Sequence, residues 1–182
     1  MSRYRGPRVK VTRLLGPLPG LTNKRSNRRD PPGEHGAARG FSLRKKPKPY
    51  TVRLLEKQKV RYNYGLTEKD LVKYVLRARR AKTRTGDTLI QLLEHRLDAS
   101  LFRSGYAPTI RAARQCIAHG HVRKQDSKKA LTIPSYDWNP ASNEQFLLDG
   151  APITLRAWTM SGGRRSRTRL NPLLIVEYYS RP

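Results

Sequence analysis

A chain of 182 residues with 39 Lys and Arg against 13 Asp and Glu carries a formal charge of +26 and a sequence pI near 11.2, a density that calls for a neutralising anion, nucleic acid above all. A membrane is the weaker partner, because no apolar run approaches the roughly 18 residues that span a bilayer and no basic helix shows a broad Trp/Phe/Leu face. The single Cys116 excludes an intramolecular disulfide and fits a reducing compartment, while 36% hydrophobic residues suffice for a modest core in one domain or two small ones.

Residues 1–50 show no sustained period of 3.6 or 2 and are punctuated by Gly6-Pro7, Gly16-Pro17, Pro19-Gly20 and Pro31-Pro32-Gly33. Such punctuation prevents long helices and favours extended or turned backbone. With 14 Lys and Arg against Asp30 and Glu34 the segment is net +12. It reads as a basic arm, disordered alone and ordered on RNA. The competing reading, an Arg-rich transit peptide, is opposed by the same Pro and Gly density.

Three helical patterns follow. Thr51 to Tyr64 repeats Val52, Leu55, Lys59 and Tyr62 along one side and stops at Gly65. Thr67 to about Thr83 opens on Thr67 and Asp70, carries Leu71, Val75 and Ala78 as a stripe and ends in a basic turn. Thr88 with Gln91 predicts a capping box for a third helix bearing Leu89, Leu93, Leu97 and Leu101.

A Gly-Tyr-Ala-Pro break then leads to a helix opened by Thr109 as N-cap. Arg111, Arg114, Gln115 and His119 are spaced three and four apart and stack on one side; Ile110, Ala113 and Ile117 fill the opposite stripe. Guanidiniums, an amide and an imidazole laid out on an unburied face suit a phosphate backbone. Gly120 ends the helix.

Beyond Gly120 the pattern predicts short strands at His121 to Arg123, Ala130 to Ile133 and Pro152 to Trp158, with turn-rich stretches at 124–129 and 137–143. Ser161 to Arg169 is a basic loop that either binds RNA or is simply solvated, the whole-chain charge favouring RNA. Asn171-Pro172 predicts a last helix, although Ile175-Val176 and Tyr178-Tyr179 also suit a strand, and Asn171 to Ser180 stays open between the two.

Other chemistries find little support. Cys116, His119 and His121 lack a second ligand pair at zinc-site spacing, and His35 and His95 are isolated, so no metal or other cofactor is expected. Arg96-Leu97-Asp98 superficially resembles the Arg-Leu-Asp loop of RNA pseudouridine synthases, whose Asp is the nucleophile. Here Leu93, Leu97 and Leu101 place Asp98 on a helix, where an ion pair with Arg96 or a neighbouring Arg is its plain role. There is no Ser/His/Asp set, no paired carboxylates and no phosphate loop, and the expectation is a structural RNA-binding protein, not an enzyme.

The run RLDASLFRSGYAPTIRAARQCIAHGH resembles the RNA-binding module of small-subunit ribosomal protein four, the S-four family. MSRYRGPR, PGEHGA, LLEKQKVRYNYGL, TGDTLIQLLE, IPSY and LLIVEYYSR extend the likeness over most of the chain in the family's order, and LGPLPGLTNK and VEYYSR look like its cyanobacterial and plastid branch. The resemblance implies an α+β fold: a basic extended N-terminal arm (1–50), a helical domain (51–86) closed by the C-terminal segment (159–182), and an inserted helix-turn-helix plus small β-sheet RNA-binding module (87–158). It implies direct binding to small-subunit rRNA at a multi-helix junction in its five-prime region, early in assembly. Ribosomal proteins three and five are the implied neighbours, beside the channel through which mRNA enters, with a part in translational accuracy. Carried onto this sequence, the RNA contacts fall on Arg103, Thr109, Arg111, Arg114, Gln115, His119, Gly120 and His121, with Arg3, Arg5 and Arg8 of the arm.

The chain departs from that pattern in three places. The usual Val-Asn-Gly turn after the second His is replaced by the longer Arg123 to Lys129 stretch, Ala99 stands where Asn is common, and the arm lacks the Cys cluster with which many members hold a metal. A free RNA-binding regulator built on the same module would lack the long arm and the returning C-terminal segment. Because MSRYRGPR already matches the mature family, the chain is expected to be made where it works, inside a chloroplast or, alternatively, in a bacterial cytoplasm.

Overall fold

The computed structural model describes residues 4–28, 30–34, 36, 48–124, 146–153 and 170–180. In chain order these form α1 (Arg8–Leu15), α2 (Pro49–Asn63), α3 (Glu68–Arg80), α4 (Thr85–Glu94), α5 (Leu97–Arg103), α6 (Ile110–Ala118), β1 (Val122–Lys124), β2 (Phe146–Leu148), β3 (Ala151–Ile153) and α7 (Pro172–Ser180). The result is the α+β class expected, helical with one small antiparallel sheet ordered β1-β2-β3.

The first core lies among α2, α3, α4 and α7. Leu71, Val75 and Ala78 of α3 are buried there as their spacing predicts, with Val60, Tyr64, Leu89, Leu93 and Ile175. Thr67 caps α3, its Oγ1 accepting from the Asp70 amide at 3.2 Å, while Arg77, Arg79 and Arg80 occupy the last turn near the negative end of the helix dipole. α7 is a helix, resolving the open segment: Asn171 Oδ1 accepts from the Leu173 amide at 3.2 Å, Pro172 begins the helix, and Ile175 enters the core. Gly86 makes room for it, since a Cβ there would lie 3.1 Å from the Pro172 ring.

Three expectations need correction. The helix expected to run unbroken through Leu101 divides into α4 and α5, because Arg96 adopts extended backbone (φ −68°, ψ 138°) that turns its side chain inward. The start of α4 also shifts: it begins at Thr85, and Thr88 sits inside it, its hydroxyl donating to the Arg84 carbonyl at 2.9 Å instead of capping. On α2 the stripe of Val52, Leu55, Lys59 and Tyr62 is only half buried, whereas Val60 is the side chain in the first core. α2 is covered on two sides, and Leu55 and Tyr62 face the arm.

That arm is a fourth difference. Arg8–Leu15 forms two helical turns, and Leu15, Leu18 and Leu21 are buried in a small core of their own against Leu55 and Tyr62. The backbone of Gly20 bridges two helices: its amide donates to Asn63 Oδ1 at 3.0 Å and its carbonyl accepts from the Ile110 amide at 3.0 Å. Arg13 holds the following turn through the Asp30 carbonyl, at 2.9 Å from Nε and 2.6 Å from Nη2. Residues 8–22 therefore pack on α2 and the start of α6.

A separate core holds α5, α6 and the sheet together through Leu97, Leu101, Ala113, Ile117, Val122 and Phe146. β1 pairs with β2 in the register Val122↔Leu148, and β2 with β3 as Leu148↔Ala151, leaving Asp149-Gly150 as a two-residue turn. Both turn residues have positive φ, 51° and 87°, as a type I′ hairpin requires. The sequence reading placed a strand at β1 and one beginning at Pro152 but missed β2. The expected strand at 130–133, the rest of the one at 152–158, and the basic loop at 161–169 lie outside the described residues.

Candidate nucleic-acid interface

The polar residues of the module separate into a buried set, gathered round the buried Glu94 and Asp98, and a more exposed set that begins at the half-buried Thr109 and Arg111. The buried set sits where the two larger cores meet. Asp98, fully buried, accepts from Arg96 at 3.1 and 3.0 Å and from Arg114 at 3.0 and 2.6 Å. Arg96 also donates to the Tyr74 hydroxyl at 2.7 Å, tying in α3. Burial by itself would raise the Asp98 carboxyl, but the guanidiniums of Arg96 and Arg114 outweigh it and hold the group below its ordinary range. Asp98 is thus the centre of an ion-pair network and not a nucleophile.

Arg114 does more than pair with Asp98. Its Nη1 and Nη2 donate to the carbonyls of Gly65 and Tyr64, both at 2.9 Å, closing the C-terminal end of α2 where helix carbonyls lack partners. Arg103 is likewise occupied: its Nε donates to Glu94 Oε2 at 2.8 Å and its Nη2 reaches Oε1, which also accepts from the Tyr64 hydroxyl at 2.5 Å. Burial, then the neighbouring Glu94, pushes the Tyr64 phenol well above its ordinary value, so it remains a donor. Two of the residues expected to touch RNA, Arg103 and Arg114, are therefore committed to joining α2, α4, α5 and α6.

The exposed set begins with Thr109, whose Oγ1 accepts from the Ala112 amide at 3.2 Å and opens α6 as expected. Ile110, Ala113 and Ile117 are buried, so Gln115 and His119 face outward and Arg111 flanks them. Arg111 donates from Nη1 to the Tyr4 carbonyl at 3.0 Å, which draws the start of the arm over α6. Arg5 and Arg8 are exposed on that arm segment; Arg3 lies outside the described residues. Gly120, at φ 80°, ends α6 and turns the chain so that the His119 and His121 rings stand 6.2 Å apart. His121 Nδ1 lies 2.8 Å from Asp149 Oδ1 across the hairpin.

Between arm, α2 and α6 runs a groove of about 350 Å³, with Arg8, Arg61, Tyr62, Arg111 and Gln115 on its walls and Gly65 among its lining. The Tyr4 and Tyr62 rings meet edge to face at 5.2 Å, and the Arg61 guanidinium lies 5.6 Å from the Tyr62 ring centroid. A second hollow, near the hairpin, is lined by His119, Gly120, His121, Arg123 and Asp149. Tyr4, Arg61, Tyr62 and Arg123 were not foreseen. The interleaving of basic and aromatic residues in RYR at 3–5 and VRYNY at 60–64 was the available signal. Among the described residues no three His, Cys, Asp or Glu converge as metal ligands, and no helix is long and apolar enough to cross a membrane.

Residues 3–94 match the family described as "Ribosomal protein S4/S9 N-terminal domain" and residues 95–123 the "S4 domain". Among curated proteins the chain is 46% identical to the small ribosomal subunit protein uS4c of Nephroselmis olivacea, over 99% of this chain and 98% of that one. It is 48% identical to the uS4c of Ostreococcus tauri over the whole of both chains. With the small ribosomal subunit protein uS4 of Synechococcus elongatus it shares 42% identity over 100% of this chain and 99% of the relative.

Proposed function

The chain belongs to the ribosomal protein S4 family, a structural family of the small ribosomal subunit and not one of enzymes, and from that premise we propose that it binds small-subunit rRNA directly. The observation that carries the proposal is the groove where Arg8, Arg61 and Arg111, from three different elements, converge beside the outward Gln115 and His119. These three guanidiniums, with that of Arg114 also in the lining, concentrate positive potential where a strand of phosphates can run, and the amide and imidazole add hydrogen bonds along α6.

In this reading Arg5, Arg8, Arg111, Gln115, His119 and His121 touch RNA, joined by Arg61 and Arg123. Thr109 and Gly120 set the two ends of the contacting helix. Arg103 and Arg114 act through the fold by fixing α6 against α2. The module at 87–158 carries most of the contacts, the arm at 1–50 adds its own along one side, and the helical domain at 51–86 with 159–182 supports both and contributes Arg61.

The finer assignments follow the family resemblance. They are binding early in assembly, neighbours in ribosomal proteins three and five, a place beside the channel through which mRNA enters, and residence in the plastid ribosome with a bacterial cytoplasm as the alternative. Co-sedimentation of tagged chain with small subunits, and filter binding of the five-prime region of small-subunit rRNA across a salt series, test the central claim. A log-log salt slope consistent with several phosphate contacts is expected; binding that ignores salt contradicts it. Intact mass of the protein from purified subunits tests the location, since a mature start well beyond Met1 would mark an imported, processed precursor.

A further inference from the structure

The groove between arm, α2 and α6 has a shape and lining that a run of duplex does not need. At about 350 Å³ it stands at the small end of the range in which proteins enclose single ligands, room for one base with its phosphate and far too little for a helix. Duplex RNA is met across a wide, shallow minor groove by surfaces that reach its hydroxyls and phosphates, whereas unpaired bases are splayed out and stacked on aromatic rings and guanidinium planes. This groove offers both kinds of plane: the Tyr4–Tyr62 pair and the guanidinium of Arg61 beside it, with Arg8 and Arg111 on the walls.

Two glycines shape the same place. Gly65 lines the groove at φ 58°, a conformation disfavoured for any other residue, and leaves the wall there without a side chain. At Gly6 a Cβ would fall 2.6 Å from the ring of Tyr4, so this ring lies folded over glycine backbone, where a side chain would displace it. Tyr4 is 39% exposed and outside the cores, so the folded cores do not require its ring.

Resting on the RNA-binding reading above, we infer that this groove takes one unpaired, unstacked nucleotide of the rRNA, its base against the Tyr4–Tyr62 pair and Arg61 and its phosphate between Arg8 and Arg111. The site reads a flipped-out base, while α6 and the hairpin beyond it follow the backbone. Stacking releases no counterions. Loss of an aromatic wall therefore lowers affinity without changing the salt slope, and loss of a phosphate-contacting arginine changes both.

The test uses the full chain with a five-prime fragment of small-subunit rRNA, base-specific chemical probing and filter binding in a salt series. Tyr62→Leu keeps the packing against the arm leucines, and Tyr4→Ala leaves every core untouched. Each is expected to weaken binding about tenfold or more at unchanged salt slope, and to restore reactivity at one unpaired base that the wild-type chain protects. Gly6→Ala, which removes neither ring nor charge, should expose the same base. Wild-type binding with no unpaired base whose protection depends on these variants overturns the inference and leaves RNA binding standing, as does an affinity loss accompanied by a lower slope. A chain that does not bind the fragment at all overturns both.

Discussion

Arg111 and Arg114 stand one turn apart on the same short helix, and the molecule uses them in opposite ways. Both line the groove, but Arg111 reaches over the surface to the arm, while Arg114 is bonded to Asp98 and to the last carbonyls of α2. The same division runs through the module: Arg96 and Arg103 belong with Arg114 in the buried junction, and His119, His121 and Arg123 with Arg111 at the surface. A highly basic chain is thus not uniformly an RNA-binding surface. Part of its positive charge serves to neutralise two buried carboxylates, Glu94 and Asp98, that lock the module to the helical domain.

The largest expected effect comes from emptying the centre of the junction. Asp98→Ala leaves two guanidiniums facing a buried site without their anion, and is expected to cost about 3–5 kcal/mol in chemical denaturation. A loss under about 1 kcal/mol would mean that the junction is not the lock between the cores. Next, Arg114→Ala should lower stability by about 2–3 kcal/mol by stripping Asp98 and two helix-end carbonyls of donors. Arg111→Ala should stay within about 0.5 kcal/mol of wild type in stability, yet weaken rRNA binding and reduce the salt slope by about one. If both variants lose the slope and neither loses stability, α6 presents a single RNA face and the distinction drawn between them fails.

The arm supplies a third contrast, between a segment that folds on RNA and one that folds on its own protein. Gly20→Ala would place a Cβ 2.5 Å from the Asn63 carbonyl oxygen and 2.7 Å from Ile110 Cδ1, and should cost about 1–3 kcal/mol. The hydrogen-bonded amides of Gly16, Gly20, Leu21 and Thr22 should be protected from hydrogen exchange in the free protein, and rapid exchange there would return the arm to a disordered state. A further effect is in acid. Because the Asp98 carboxyl is held below its unfolded value of about 3.9, its contribution is full above about pH 4 and is lost as pH falls through the lower folded value. Urea midpoints for wild type and Asp98→Asn should therefore converge below pH 4; a constant gap would contradict the depressed carboxyl.

Much of the site was readable because it rests on near neighbours along the chain. Thr109 and Thr67 as caps, the buried stripe of α6 and the Asn171-Pro172 start of α7 depend on residues within one turn. The hairpin is equally local, its turn set by Asp149-Gly150 between FLL and API. Leu15, Leu18 and Leu21 were harder, since prolines between them erase any helical period and their partners Leu55 and Tyr62 lie about 40 residues on.

By itself the amino-acid sequence determined the charge, the amphipathic form of α6, the starts of α3, α6 and α7 and the mixed helical and sheet character, all consequences of composition and of contacts spanning a few residues. Only the tertiary structure decided which cations line the outer side of α6 and which gather at the buried junction. That choice depends on partners far apart in the chain, Arg114 with Asp98 16 residues away and with the Tyr64 carbonyl 50 away, and on burial that makes an unpaired charge costly. It likewise decided that Tyr4, Arg61, Tyr62 and Arg111 line one groove, because nothing local relates a terminal arm, the end of α2 and the start of α6 until Gly20 is bonded between them.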